Sequence, residues 1–197
     1  MRETEVKGVA SDGIAMREAL ARAKAVPRFA GTLIDRRYDT PGYDLQRRDE
    51  VLRIRVADDG HTRNVRLDYK GKATFAGGLK TRDEIGVDIA EDVTLDGILR
   101  HLGFVVTREI EREVDVHELP GATVRFERYP RMDELVEVEG SPDAIESTIA
   151  VLGVVRATFT SERLADFVRR YEDRTGQRAA LCKRELHGDY RYRVDDA

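Results

Sequence analysis

Charged and aliphatic residues alternate along stretch after stretch of this 197-residue chain, and that alternation limits the possible folds more than any other feature. Residues 2–9 set the pattern. Glu3, Glu5 and Lys7 occupy alternate positions, with Thr4 and Val6 between them. Alternate side chains of a β-strand share a face, so three charged groups line one side. Two carboxylates about 7 Å apart along a strand can hold a hard divalent cation such as Mg²⁺. The neighbouring ammonium can hold an anion, most simply a phosphate on that metal. Any one such motif also fits an ordinary solvated strand face, and recurrence is what separates the two readings.

The pattern does recur. A strand is expected at 29–39, turning at Pro41-Gly42. In 51–56, Leu52, Ile54 and Val56 alternate with Arg53 and Arg55, and Asp58-Asp59-Gly60 marks a hairpin turn. In 64–70, Val65, Leu67 and Tyr69 alternate with Arg66, Asp68 and Lys70. After the Gly-rich stretch 71–78, Ile85, Val87 and Ile89 oppose Arg82, Glu84 and Asp88. A long, highly charged strand is expected at 104–119. Val124 and Phe126 then oppose Arg125 and Glu127, and Val136 and Val138 oppose Glu137 and Glu139. Four amphipathic helices accompany the strands. One spans 13–26, capped by Ser11-Asp12 and ended by Pro27. A second is capped by Thr94 and stopped by Gly103. A third begins at Ser141-Pro142, and a fourth is capped by Ser161 and ends before Gly176. Residues 1–177 read as one domain and 178–197 as a polar C-terminal tail.

An antiparallel sheet with one wet face explains each strand alone. The abundance of Arg and paired Glu on the charged side suggests a second arrangement. In it the sheet closes into an antiparallel eight-stranded β-barrel, the helices pack outside, and the charged faces line a tunnel. This is an α+β fold whose lumen has room for one small ligand. Such a lumen cannot be dry, because unpaired buried charges are too costly; a metal and a polyanion are natural contents. Although 37% of residues are charged, the net charge is only −4, so no nucleic-acid-binding surface is expected. One cysteine, Cys182, excludes an internal disulfide and fits a reducing compartment. No apolar run approaches a membrane span, and the N-terminus reads as a charged strand rather than a signal peptide. A cytoplasmic location is therefore expected. Composition points to a GC-rich bacterium. His61, His101, His117 and His187 are scattered and read as surface or packing residues, and no P-loop, zinc spacing or serine elbow is present.

The ordered set of motifs resembles the CYTH, or triphosphate tunnel metalloenzyme, superfamily. Glu3-Thr4-Glu5-Val6-Lys7 is similar to its E-x-E-x-K signature, and 35–41 to its D-x-Y-F-D-T-P stretch. Residues 52–55 resemble L-R-I-R, 67–71 resemble L-T-x-K-G, and Arg82-Asp83-Glu84 resembles R-x-E. Leu102-Gly103-Phe104 resembles L-G-F, and Glu137-Val138-Glu139 resembles the closing E-x-E. The resemblance covers roughly residues 1–140. It implies phosphate-binding roles for Lys7, Arg53, Arg55, Lys70 and Arg82, joined here by Arg112 and Arg125. It implies Mg²⁺ or Mn²⁺ binding by Glu3, Glu5, Glu137 and Glu139, with Glu5, Lys7 and Glu139 as catalytic candidates. The implied activity is hydrolysis of inorganic tripolyphosphate, a nucleoside triphosphate or thiamine triphosphate by a monomer or homodimer. The alternatives are a class IV adenylate cyclase and a non-catalytic binder of phosphorylated ligands.

The chain departs from the family pattern in three places. Arg37 stands where the family has a tyrosine. No S-Y stretch is evident around 178–186. On the sixth strand, Glu111 and Glu113 fall near the family's K-x-R, with Arg112 between them. Strand parity makes two registers exclusive unless a bulge intervenes. Val114 and Val116 share Arg112's register, which favours that side packing on helices and Glu111, Glu113, Asp115 and His117 facing the lumen. The family fit favours Arg112 inward, and a bulge between Arg112 and Val114 would reconcile the two.

Overall fold

The computed structural model describes residues 2–193. Eight strands close into an antiparallel barrel: β1 (Arg2–Val9), β2 (Val26–Asp39), β3 (Val51–Asp58), β4 (Arg63–Lys70), β6 (Leu79–Ile89), β7 (Val105–Leu119), β8 (Ala122–Arg128) and β9 (Leu135–Gly140). Around the barrel the order is β1-β9-β8-β7-β2-β3-β4-β6, and β6 pairs back onto β1. Closure is achieved by splitting β1. Residues from Arg2 to Glu5 pair with β6, while residues from Glu5 to Val9 pair with β9. Two short strands extend the rim: β5 (Thr74–Ala76), a hairpin inside the Gly-rich connection, pairs with β6, and β10 (Phe159–Thr160) pairs with β1.

Alternation assigns the two faces. Outward aliphatics meet helices α1 (Gly13–Arg22) and α4 (Pro142–Leu152) on one flank, where Met16, Leu20, Ile145 and Ile149 pack on Val6, Val124, Phe126 and Val138. Helix α3 (Asp92–His101) covers Ile54, Val56 and Val65 on another. The outer face of β6 stays bare: Ile85 and Val87, expected beneath a helix, are 70% and 56% exposed.

Helix boundaries differ from expectation for local reasons. Asp12 caps α1 by accepting the Ala15 N–H at 2.9 Å. The helix stops at Arg22 because Lys24 turns left-handed (φ 58°) and Val26 already pairs with Glu118 on β7. Pro27 therefore lies within a strand and does not end the helix. Thr94 lies inside α3 and donates its hydroxyl to Glu91, the residue before the helix. Ser161 precedes the start of α5 (Leu164–Thr175), where the Arg163 N–H donates to Asp166 at 3.0 Å. A four-residue helix, α2 (Asp44–Arg47), stands at one mouth of the barrel.

Helix α5 does not lie outside the barrel. Its Leu164, Phe167 and Val168 pack with Ile110, Leu135 and Val9, which by strand parity share the inner face with Arg112, Glu137 and Lys7. Ala179 and Leu181 join the same cluster. Of residues 178–197, expected as a polar tail, 194–197 lie outside the described residues, but the start of the segment is packed in: Ala179, Ala180, Leu181 and Cys182 are buried and a 3₁₀ turn follows at Lys183–His187. Together they close one end of the tunnel with an apolar plug. None of the described helices is long and apolar enough to cross a membrane.

Candidate functional site

Inner-face side chains from all eight barrel strands, with the α2 and α5 ends, surround one cavity of about 160 Å³, room for about ten waters. Glu5, Lys7, Arg53, Arg55, Lys70, Arg82, Arg112, Arg125 and Glu137 line it. Glu3 and Glu139 stand at the end opposite the α5 plug, hydrogen-bonded to each other, with Glu84 bonded to Glu3 beside them.

The sixth expected strand, β7, settles its parity clearly. Arg112 is 5% exposed and donates to Glu127 at 2.9 Å and Asp35 at 3.1 Å, inside the barrel. Of the two registers, the one with Arg112 inward is adopted, and Glu111, Glu113, Asp115 and His117 face out. Glu113 pairs with Arg128 on the surface at 3.0 Å, and Glu111 with Lys183 at 2.6 Å. Asp115 takes Arg17 of α1 at 2.7 Å, and His117 sits edge-on to Phe126. Val114 and Val116 therefore lie on the inner face, at the carboxylate end. The pairing of β7 with β2 runs without a break from Arg112 to Val114, and that with β8 without a break from Glu113 onward. The irregularities fall at Thr107, between the Arg37–Arg108 and Tyr38–Val106 pairs, and at Arg28 of β2, between the Pro27 and Phe29 pairs. A hydrophobicity argument failed here because the strand outruns the charged site, so its last inner residues can be apolar without touching a helix.

Two buried carboxylates organise the cations. Asp35, 2% exposed, accepts both Arg55 nitrogens at 2.7 Å, Arg112 at 3.1 Å and Arg53 at 3.5 Å. Burial opposes its ionisation, but Arg55, Arg112 and Arg53 outweigh that and hold it well below the usual carboxylate range. Glu127, 1% exposed, takes Arg112 at 2.9 Å, Lys7 at 3.1 Å and the Tyr129 hydroxyl at 2.9 Å. Burial is again outweighed, by Lys7, Arg112 and Arg125, and it too stays ionised. Asp68 holds Arg53 at 3.0 Å, and Glu137 holds Lys7 at 2.8 Å and also Arg125. Gly86 of β6 leaves the space that the Arg66–Asp68 pair fills, since a Cβ there would stand 2.4 Å from Arg66 Nε. Arg82 is tied to Asp49 at 2.7 Å.

The carboxyl end behaves differently. Burial and the hydrogen bond with Glu3 push Glu84 up to about 7. Burial, that same bonding and the charge of Glu3 push Glu139 up to about 8. Glu3 is lowered: burial opposes this, and the bond from Glu84 and the Lys70 ammonium prevail. Glu5, despite burial, is lowered to about 2 by Lys80, Lys7 and Lys70. Thus Glu139 holds a proton on its bond to Glu3 near neutral pH, and Glu84 shares one for part of the time. Carboxyls crowded enough to share protons suit a hard divalent cation that would replace those protons. The donor set therefore fits Mg²⁺ or Mn²⁺, although no three of the described Asp, Glu, His and Cys side chains are already arranged as ligands.

The residues to which sequence reading gave no site role are Lys80, paired with Glu5, and the organising carboxylates Asp35, Asp68 and Glu127. Each sits on a strand already assigned, in its charged register. Parity alone would have put them inside, but it cannot say which cation each one holds.

A closed antiparallel tunnel, with acids clustered at one end and cations along its walls, defines the class of protein. The sequence model of the CYTH domain family matches residues 1–146, and the chain belongs to that family. Enzymes of the family typically act on triphosphates and generally use divalent metals. Among solved structures the chain is similar to the PH1819 protein of Pyrococcus horikoshii: TM-score 0.71 and 26% identity, over 85% of this chain and 98% of that one. It is similar in fold to a candidate adenylate cyclase of Vibrio parahaemolyticus, with TM-score 0.72 and 14% identity over 85% and 97% of the chains. It also resembles HpAC1 of Hippeastrum, a candidate adenylyl cyclase with a dominant triphosphatase activity. There the TM-score is 0.60 and the identity 13%, over 92% and 99% of the chains. No curated protein sequence matches the chain.

Proposed function

We propose that the protein hydrolyses a triphosphate in a divalent-metal-dependent reaction, the substrate being inorganic tripolyphosphate, a nucleoside triphosphate or thiamine triphosphate. One observation supports this most: Lys7, Arg53, Arg55, Lys70, Arg112 and Arg125 converge on a cavity that Glu5 and Glu137 also line, and Lys70 bonds Glu3, which is hydrogen-bonded to Glu84 and Glu139 outside the lining. Arg53, Arg55 and Arg112 bind non-bridging phosphate oxygens by charge-assisted bonds. Asp35 and Glu127 hold these guanidiniums in place beforehand, so little reorganisation is needed as charge shifts in the transition state. Lys7, shared between Glu127 and Glu137, moves onto the transferred phosphoryl group.

Glu3, Glu5 and Glu139 would hold Mg²⁺ or Mn²⁺, with Glu137 joining them if it releases Lys7. The bound cation supplies Lewis-acid polarisation of the phosphoryl group or the attacking water. Attack by water forms one P–O bond as the anhydride P–O bond breaks. The water's proton passes to Glu5 or Glu139, and the departing phosphate leaves against Arg53 and Arg55.

The test is a panel of tripolyphosphate, ATP and thiamine triphosphate, each with Mg²⁺ and with Mn²⁺, resolving phosphate, pyrophosphate and cyclic AMP. Phosphate release supports the proposal. Cyclic AMP with pyrophosphate would instead indicate a class IV adenylate cyclase, and binding without turnover a phosphorylated-ligand sensor.

A further inference from the structure

Lys80 has no part in the reaction proposed above, yet it stands where the carboxyl end of the site meets the cationic wall. On β6 it lies directly opposite Glu5 of β1, and Glu139 of β9 lies opposite Glu5 on the other side. Side chains so placed share the inner face, with Cβ atoms about 5 Å apart. The Lys80 ammonium is paired with Glu5, and each of the two side chains is 15% exposed. Both line the cavity together with Arg53, Arg55 and Arg112. Glu5, a candidate metal ligand, is therefore already held by a cation.

The three lysines that line the cavity are not equivalent. Lys7 bridges Glu127 and Glu137, and Lys70 bridges Glu3 and Glu84. Either of them can leave one carboxylate and keep the other. Lys80 has Glu5 as its one ion-pair partner among the described residues. A divalent cation seated between Glu5 and Glu139 repels the ammonium and must displace it. The displaced ammonium then needs a new anion, because an unpaired buried charge is costly. A phosphate oxygen in the cavity supplies one. Lysine suits the exchange, being a point charge on a flexible four-carbon stem that demands no fixed partner geometry.

We propose that Lys80 couples cation and phosphate binding: it holds Glu5 until a phosphate oxygen draws its ammonium away, so that the site takes the divalent cation together with the triphosphate and either one alone less tightly. This rests on the triphosphate reading and adds how the two ligands of that site depend on each other. Such coupling is reciprocal, each ligand raising the affinity of the other by the same factor.

The experiment measures binding of Mn²⁺ and of sodium imidotriphosphate, a tripolyphosphate with N–H bridges that resists hydrolysis. Titration calorimetry and the EPR signal of free Mn²⁺ are the readouts. Wild type is compared with Lys80→Met and Lys80→Arg, each checked for a native melting transition. Without the analogue, Lys80→Met should bind Mn²⁺ about tenfold more tightly than wild type, having no ammonium to displace. Lys80→Arg should bind it at least about threefold more weakly, because a guanidinium grips a carboxylate with two bonds. Charge alone would make Lys and Arg equal at this position. In the wild type Mn²⁺ should raise affinity for the analogue about tenfold or more, a factor that falls below about threefold in Lys80→Met. Equal Mn²⁺ affinity in wild type and Lys80→Met, or an undiminished coupling factor in Lys80→Met, overturns the role of Lys80 and leaves the triphosphate reading intact. A wild type that fails to bind the analogue, with or without Mn²⁺, overturns both. If Lys80→Met does not fold, Lys80→Arg decides: a Mn²⁺ affinity equal to that of wild type overturns the proposal.

Discussion

The Asp35 carboxylate grips the Arg55 guanidinium with two bonds of 2.7 Å, and a second cation, Arg112, reaches the same carboxylate at 3.1 Å. One acid thereby fixes guanidiniums from two different strands, β3 and β7. Removing it should free them all. Asp35→Asn leaves buried arginines without their counter-charge, and breaking such a pair costs about 3–5 kcal/mol. Urea unfolding should show that loss, and added tripolyphosphate should restore part of it by supplying the missing negative charge. No change in the urea midpoint would show that Asp35 does not organise the array.

Acid should act through the same groups. Asp35 and Glu127 both have native values well below the ordinary ones of 3.8 and 4.5. A depressed native value stabilises the fold fully above the unfolded value and loses that contribution as pH falls through the native one. Stability measured by denaturant should therefore be flat with respect to these groups above about pH 5.5 and decline steadily below about pH 4.5. In Glu127→Gln the decline should be shallower.

Glu139 has the opposite sign. Its value is raised to about 8, so its protonated form stabilises the native state. That contribution is complete below the unfolded value of 4.5 and is lost as pH rises through about 8. A divalent cation must displace this proton. Mn²⁺ affinity should rise between pH 6 and pH 9, with proton release visible as a buffer-dependent heat. Glu139→Gln, an uncharged isostere of the acid form, should melt within about 1 kcal/mol of wild type. It should lose at least about 10–100-fold in metal-dependent turnover. A pH-independent Mn²⁺ affinity would remove Glu139 from the ligand set.

Arg112 and Glu113 are neighbours in sequence and lie on opposite sides of the wall. Arg112→Ala strands Glu127 and Asp35 together, so it should weaken triphosphate binding and destabilise the fold by about 3 kcal/mol or more. Glu113→Ala removes an exposed pair with Arg128 and should change stability by no more than about 1 kcal/mol and leave binding alone. Tighter binding in Glu113→Ala would mean that the acidic face points inward.

Leu181 tests the plug. It is 2% exposed among Ile110, Phe167 and Val168. Leu181→Ala should cost about 2–5 kcal/mol by the cavity it leaves, whereas a loose tail residue would cost nothing measurable in thermal melting.

The period-two alternation of charged and aliphatic residues determined the strands, their inner faces and most of the cavity lining, because in a strand parity alone assigns a side chain to one face. Glu5, Lys7, Arg53, Arg55, Lys70 and Glu137 of the lining were legible for that reason, as was the inward register of Glu3 and Glu139. Parity is silent on pairing between strands distant in sequence. That Asp35 would hold Arg55 and Arg112, 20 and 77 residues away, required the barrel to close. The inner side of β7 was undecidable from its own residues, since both faces carry charges and aliphatics. Its pairing with β2 and β8 decided it. The plug was hidden for a related reason: residues 179–182 are too few to show a period. Only the inner-face Ile110 and Leu135 at the end of the closed barrel, a product of tertiary structure, give that short apolar run something to bury against.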